Sequence, residues 1–264
     1  MLFPEVGSEF WHGPEPWMLS WPQPWIENLF ERTFILETES RGMKTPKTIQ
    51  ITPARLLLEA GIALTPAVAT GDVRAGYAMM RYGWYFRDIK SGEKLALPIE
   101  CRHLESRLKA LMSEELGVGV TCFLMREQFN FKHITDVSSA ITLGFATRVK
   151  SRQQPDFCAL DGTNAKKPRL SFIESKGTLT GLRQMRTAAE AGKLQLKNAQ
   201  PAGLSGSKKN FAVSTHFAIT TSAKLPAKST TLIIDPPANV TDVKNTAPAD
   251  ACSMRLRKSL QIRR

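Results

Sequence analysis

The chain has 264 residues, 42% of them hydrophobic and 23% charged, a balance that excludes a collagen-like, coiled-coil or wholly disordered protein. Its formal charge of +12 is unevenly spread: residues 1–144 hold 15 basic and 17 acidic side chains, and residues 145–264 hold 21 and 7. A basic half beside a neutral one points to a polyanion partner, since each Lys or Arg set on a phosphate releases a counterion; the same excess also fits a merely solvated basic surface.

In chain order, residues 1–30 show no basic stretch followed by an apolar run, so no signal peptide is expected. Trp11, Trp17, Trp21 and Trp25 alternate there with Pro14, Pro16, Pro22 and Pro24. Each proline removes a backbone donor, which predicts an arm without regular structure, its tryptophans packing on its own domain or on a partner. Thr52-Pro53 opens a short helix over 54–60. The most apolar stretch, Leu56 to Ala69, is broken by Glu59 and Pro66, so no membrane span is expected. Residues 76–88 read as an aromatic strand, turning at Lys90-Ser91-Gly92 into a second strand at Lys94–Ile99.

A helix is predicted over 101–116, with Leu104, Leu108, Leu111 and Met112 on its apolar face and Gly117 as its stop. Residues 118–129 and parts of 133–150 are strand candidates. Arg152–Leu160 and Leu170–Ser175 are two more, joined by the turn Asp161-Gly162-Thr163-Asn164. A second helix over 181–199 carries the stripe Leu182, Met185, Ala189, Leu196 and Ala199. Strands at 211–220 and 231–234 follow, then a basic, loosely ordered tail from 235 to 264. Cys101, Cys122, Cys158 and Cys252 form no C-x-x-C pair, which fits reduced thiols in a cytoplasmic protein. The four histidines lack metal-ligand spacing, and no phosphate-binding Gly-rich loop or nucleophile-elbow serine motif is present.

One constellation carries chemistry. Asp156 opens a strand, and Glu174 lies eighteen residues on, in the next. Adjacent strands would bring the two carboxylates together as a hard-oxygen site suited to Mg²⁺. Lys176, two residues past Glu174, projects to the same face of its strand and can orient or help deprotonate a metal-bound water, or stabilise charge on a phosphate. Of three acid-x-Lys triplets, those at Asp88 and Asp242 lie in turn-rich sequence; only Glu174-Ser175-Lys176 follows an apolar strand and the sole Pro-Asp pair. A surface ion pair at a strand end is the competing reading. On helix 181–199, Arg183, Arg186, Lys193 and Lys197 project within about 80° of one another, a nucleic-acid-binding face. Glu190 shares it, so a solvated, salt-bridged face fits as well. Lys208 and Lys209, in a Gly/Ser loop, add to the cationic set.

Pro155-Asp156 with Glu174-Ser175-Lys176 resembles the PD-(D/E)xK nuclease superfamily. With Leu104-Glu105 and Met125-Arg126-Glu127-Gln128-Phe129, residues 78–221 are similar to the catalytic domain of the transposon endonuclease subunit TnsA. The resemblance implies an α/β, restriction-endonuclease-like core, a central mixed sheet flanked by helices. It divides the chain into an extension (1–75), a nuclease-like domain (76–234) and the tail. It also implies a further acid from the preceding helix, Glu105 with Glu115 as rival, and a metal held by Asp156, Glu174, the Ser175 carbonyl and Glu105. The implied activity is Mg²⁺-dependent DNA cleavage, Mn²⁺ substituting, with a transposase and a regulatory ATPase as partners. No helical C-terminal domain is expected from the sequence after residue 221, and the extension has no counterpart in that family. A non-catalytic nucleic-acid-binding scaffold and a stand-alone restriction or defence nuclease are the alternatives.

Overall fold

Alternation along three neighbouring strands builds the core. Ile173, Val213 and Ile233 face one layer, whereas Phe172, Ala212 and Leu232 face the other, and all six are buried. Period-two alternation sends successive side chains to opposite faces, so both faces of this sheet are covered. A computed structural model describes residues 31–40, 43–65, 93–131, 133–148, 153–161, 169–202, 205–206, 210–220 and 228–234, with single positions 73, 76, 80, 85 and 89. The Pro/Trp arm, the tail, Cys252, Lys208 and Lys209 lie outside the described residues, as does most of the turn after Asp161.

The sheet order is β2-β1-β10-β9-β6-β5-β3, from β1 (Arg32–Ser40), β2 (Met43–Ile51), β3 (His133–Asp136), β5 (Phe157–Asp161), β6 (Arg169–Thr178), β9 (Phe211–His216) and β10 (Thr230–Ile234). It is mixed: β1–β10 and β6–β9 are parallel, and the other pairs are antiparallel. A two-residue β8 (Ser205–Gly206) also pairs with β6, and Asn210 fills the gap before β9 by accepting the Phe172 N–H through Oδ1 at 2.9 Å. A separate ribbon joins β4 (Ala146–Arg148) to β7 (Ala199–Pro201).

One face is covered by α1 (Pro53–Leu64) and α2 (Ser106–Glu127), the other by α3 (Val137–Thr142) and α4 (Leu182–Gln195). Thr52 caps α1, its hydroxyl accepting from the Arg55 N–H at 3.1 Å ahead of Pro53. Asp136 caps α3 in the same way through Ser139, at 2.7 Å. In α4, Met185 and Ala189 are buried, as are Leu196 and Ala199 beyond it, while Leu182 is exposed. The fold is therefore mixed α/β, with helices on both faces of one large sheet. Because β1, β2 and α1 belong to this sheet and core, residues 31–64 are part of the same unit as residues 93–234.

Three local expectations change. First, α2 does not stop at Gly117 but runs on to Glu127, and 118–129 forms no strand. Every residue from Glu115 to Met125 is buried, and a helix covered on all sides carries the same continuous apolar run as a buried strand. Gly117 serves instead as a contact: a Cβ there would stand 3.1 Å from the Gly177 backbone. Second, the expected stripe at the start of α2 is not an inner face, since Leu108 and Leu111 are exposed while Met112 is buried. Third, the turn Lys90-Ser91-Gly92 and most of 76–88 lie outside the described residues, and the described positions there do not form the expected strand. Positions 73, 76, 80 and 85 are helical, with 73, 76 and 80 exposed at helical spacing and Tyr85 buried. Lys94 bridges Thr33 and Leu97 bridges Ile219, and a 3-10 turn follows at Ile99–His103.

Candidate functional site

The antiparallel register of β5 and β6 sets Phe157 opposite Ile173, which brings Asp156 beside Glu174. The two then interlock through the backbone. Asp156 N–H donates to Glu174 Oε2 at 3.1 Å, and Ser175 N–H donates to Asp156 Oδ2 at 2.9 Å. Each carboxylate is thus aimed by the other strand's amide, and Lys176 Nζ closes the cluster with an ion pair to Glu174 Oε1. The Ser175 side chain points to the opposite face, where its hydroxyl meets Thr121 Oγ1 of α2 at 2.8 Å.

Two glycines permit this geometry. A Cβ on Gly177 would fall 1.7 Å from the Ser113 carbonyl oxygen, so only glycine lets α2 cross β6 directly after Lys176. On the other face, a Cβ on Gly192 of α4 would stand 2.9 Å from Glu174 Cγ. That missing methyl leaves room for a carboxylate that is only 1% exposed.

Burial dominates the electrostatics. Desolvation, then the neighbouring Asp156, pushes the Glu174 carboxyl up to about 7 against the pull of Lys176 and its hydrogen bonds. Desolvation likewise holds Asp156 above its ordinary value, opposed by Lys176 and the Ser175 N–H, with Glu114 adding to the rise. For Lys176 burial lowers the pKa, but Glu174, Asp156 and Glu114 outweigh it, so the ammonium is held above the usual lysine value. It is a fixed cation at neutral pH, not a base.

Asp156, Glu174, Ser175 and Lys176 therefore come together. Glu105 does not join them: it is the exposed residue ahead of α2, about 13 Å along the helix axis from Glu114 at 1.5 Å per residue. Its rival Glu115 is buried. The helix acid whose charge reaches both Asp156 and Lys176 is Glu114, exposed on α2 one residue past the Gly177 contact. Sequence spacing carries no mark of it, because its place follows from the helix–strand crossing.

On α4, Arg183 is exposed and Lys193 half-buried, with Lys197 exposed just beyond. Arg186 is held by Glu39 of β1 at 3.1 Å, so it ties α4 to the sheet. Glu190 forms no ion pair among the described residues. Cys101, Cys122 and Cys158 are buried and in no disulfide, and desolvation raises the thiols of Cys122 and Cys158, which makes them poor nucleophiles.

The donor set bears on a metal. Among the described residues, no group of three or more His, Cys, Asp or Glu side chains is arranged to hold one. Two interlocked carboxylates, both pushed toward protonation, nevertheless favour a compensating cation. The pair fits Mg²⁺, which commonly takes one or two carboxylates and keeps several waters. Among the described residues no helix is long and apolar enough to cross a membrane. No family model, curated protein or solved structure matches the chain.

Proposed function

We propose that the protein is a Mg²⁺-dependent DNA endonuclease with a restriction-endonuclease-like, PD-(D/E)xK core. One observation carries the reading: a half-buried and a buried carboxylate from adjacent strands, each held by the other strand's amide, with a charged lysine two residues past the second. Asp156 and Glu174 would hold the metal, with the Ser175 carbonyl as a further oxygen donor. Mg²⁺, when bound, lowers the pKa of a water and neutralises charge on the phosphoryl group.

The chain's own residues do the rest. Asp156 and Glu174 set the position of the centre, because their backbone hydrogen bonds fix both carboxylates before substrate arrives. Lys176, paired with Glu174 at the edge of the cluster, would hold the attacking water or a phosphoryl oxygen through its ammonium. The basic second half of the sequence supports a polyanionic substrate, with Arg183, Lys193 and Lys197 as backbone contacts and Lys208 and Lys209 beside them. A transposition subunit, TnsA-like and working with a transposase and a regulatory ATPase, is the pathway this reading favours; a stand-alone defence nuclease would cut without partners.

The ion pair of Lys176 with Glu174 supports a second reading, a non-catalytic nucleic-acid-binding scaffold in which the cluster only ties strands together. Plasmid nicking by the full chain with Mg²⁺ or Mn²⁺, followed by Mn²⁺ titration where no nicking is seen, separates the two, because a subunit awaiting its partners binds the metal without cutting. The nuclease reading expects metal-dependent nicking that is lost in Asp156→Ala and in Lys176→Ala, with DNA binding retained in the latter. Full nicking by Lys176→Ala would overturn the assignment. Failure of Asp156 and Glu174 to bind Mn²⁺ would favour the scaffold.

A further inference from the structure

β6 ends at Thr178 beside His216, the last residue of β9, and the chain bends through Leu179 and Thr180 towards α4. The 3-10 turn Ile99–His103 and the first turn of α2 face the same space. Between them lies a cavity of about 520 Å³, lined by Arg102, Lys109, His216 and Thr180, with Leu179 and Ile219 as apolar wall. A space of this size belongs to the range of ligand sites.

Its polar groups select an anion. Among the described residues no carboxylate lines the cavity, and neither Arg102 nor Lys109 has an ion-pair partner. Glu105, one turn ahead of Lys109, makes no ion pair with it. Burial lowers the His216 pKa below its ordinary value, so the imidazole is neutral at neutral pH. Its Nδ1 is buried with no hydrogen-bond partner among the described residues, and a neutral imidazole can offer either a donor or an acceptor there. The apolar wall suits a sugar or a base rather than a bare ion.

The location fits a strand of nucleic acid. Leu179 is three residues beyond Lys176, about 10 Å along an extended chain. Successive phosphates of one DNA strand rise only about 3.4 Å along the helix axis but stand about 6–7 Å apart in space, so the offset is one to two nucleotides. We propose that this cavity seats one nucleotide of the bound strand one or two steps from the scissile phosphate. Its phosphate lies on Arg102 and Lys109, and its sugar and base rest against Leu179 and Ile219. The distance to the scissile phosphate rests on the nuclease reading of Asp156, Glu174 and Lys176; recognition of the nucleotide does not.

The test uses the full chain and a short fluorescein-labelled DNA strand, followed by anisotropy across a salt series. The double variant Arg102→Ala/Lys109→Ala should weaken binding at least about tenfold near 0.1 M salt and reduce the slope of log K against log salt by roughly one. A charge-reversed Lys109→Glu should weaken binding too, with circular dichroism confirming that both variants fold. Unchanged affinity and slope in the folded double variant would overturn the proposal. So would displacement of the strand by a free deoxynucleoside monophosphate at the strand's own concentration, which would make this a mononucleotide site. If wild type binds DNA but neither nicks nor binds Mn²⁺, and the double variant loses DNA binding, the nuclease reading fails and the nucleotide site stands. If the double variant binds and nicks like wild type, the nucleotide site alone falls.

Discussion

Glu59 and Glu174 are both buried glutamates, almost equally hidden from water, yet their surroundings are built on opposite terms. Glu59 of α1 has each oxygen taken by a guanidinium, Arg55 at 2.9 Å and Arg126 of α2 at 3.0 Å. Glu127 stands 3.7 Å from Arg55, so two cations face two anions. Glu174 shares a single ammonium with Asp156, and the field of Glu114 adds further negative charge. The first cluster is neutral and clamps α1 to α2. The second retains negative charge that only a proton or another cation removes, which makes it the place to look for chemistry.

The largest expected effect comes from breaking the neutral cluster. Arg126→Ala leaves a buried carboxylate with one partner, and removing half of a buried pair costs about 3 kcal/mol. Urea unfolding should report that loss. Glu174→Gln should do the reverse, since it removes a charge the fold resists: stability at neutral pH stays within about 1 kcal/mol or rises, while metal-dependent nicking falls at least about a hundredfold. Equal destabilisation by both changes would erase the contrast between the clusters.

The pH dependence of stability sharpens it. Glu174 titrates near 7 in the folded chain against an ordinary 4.5, so between those values the folded state binds a proton that the unfolded state has released. Stability should therefore be full below about pH 4.5 and fall as pH rises towards 7, with a slope of at most about 1.4 kcal/mol per pH unit for one proton. Asp156, also raised, contributes with the same sign. Glu174→Gln should flatten the curve, and Mg²⁺ should raise the melting temperature more above pH 7 than below it. A flat wild-type curve across that window would mean that Glu174 is ionised throughout.

The centre of this contrast was largely legible in the sequence. A Pro-Asp at a strand start, an apolar strand and Glu-x-Lys at period two suffice to align Asp156, Glu174 and Lys176, because strand pairing is local and its side-chain period is fixed. The hairpin of β1 and β2 carries a visible signal of its own, with Phe34 and Leu36 alternating ahead of Arg41-Gly42. The second half of α2 left none: Val118 to Met125 is apolar at every spacing, and only tertiary burial decides that it is a helix. Glu114 was hidden for the same reason, since the contact of Gly177 with Ser113 fixes which turn of α2 stands over Lys176.

Gly192 offers the smallest and most selective perturbation. In the interior of α4 an alanine is favoured over glycine by about 1 kcal/mol, which opposes any packing cost. The added Cβ, however, would stand 2.9 Å from Glu174 Cγ, closer than such atoms approach, and the side chain rather than the helix backbone has freedom to yield. Gly192→Ala should shift the melting temperature by only a few degrees while weakening Mn²⁺ binding and nicking about tenfold, because Glu174 leaves the amide of Asp156. Titration calorimetry with Mn²⁺ separates this from general damage: a variant that binds the ion like wild type would show that Glu174 tolerates the methyl and that Gly192 only packs. Loss of ion binding with the fold retained would make Gly192 a positioning residue, acting on the site through the one carboxylate it leaves room for.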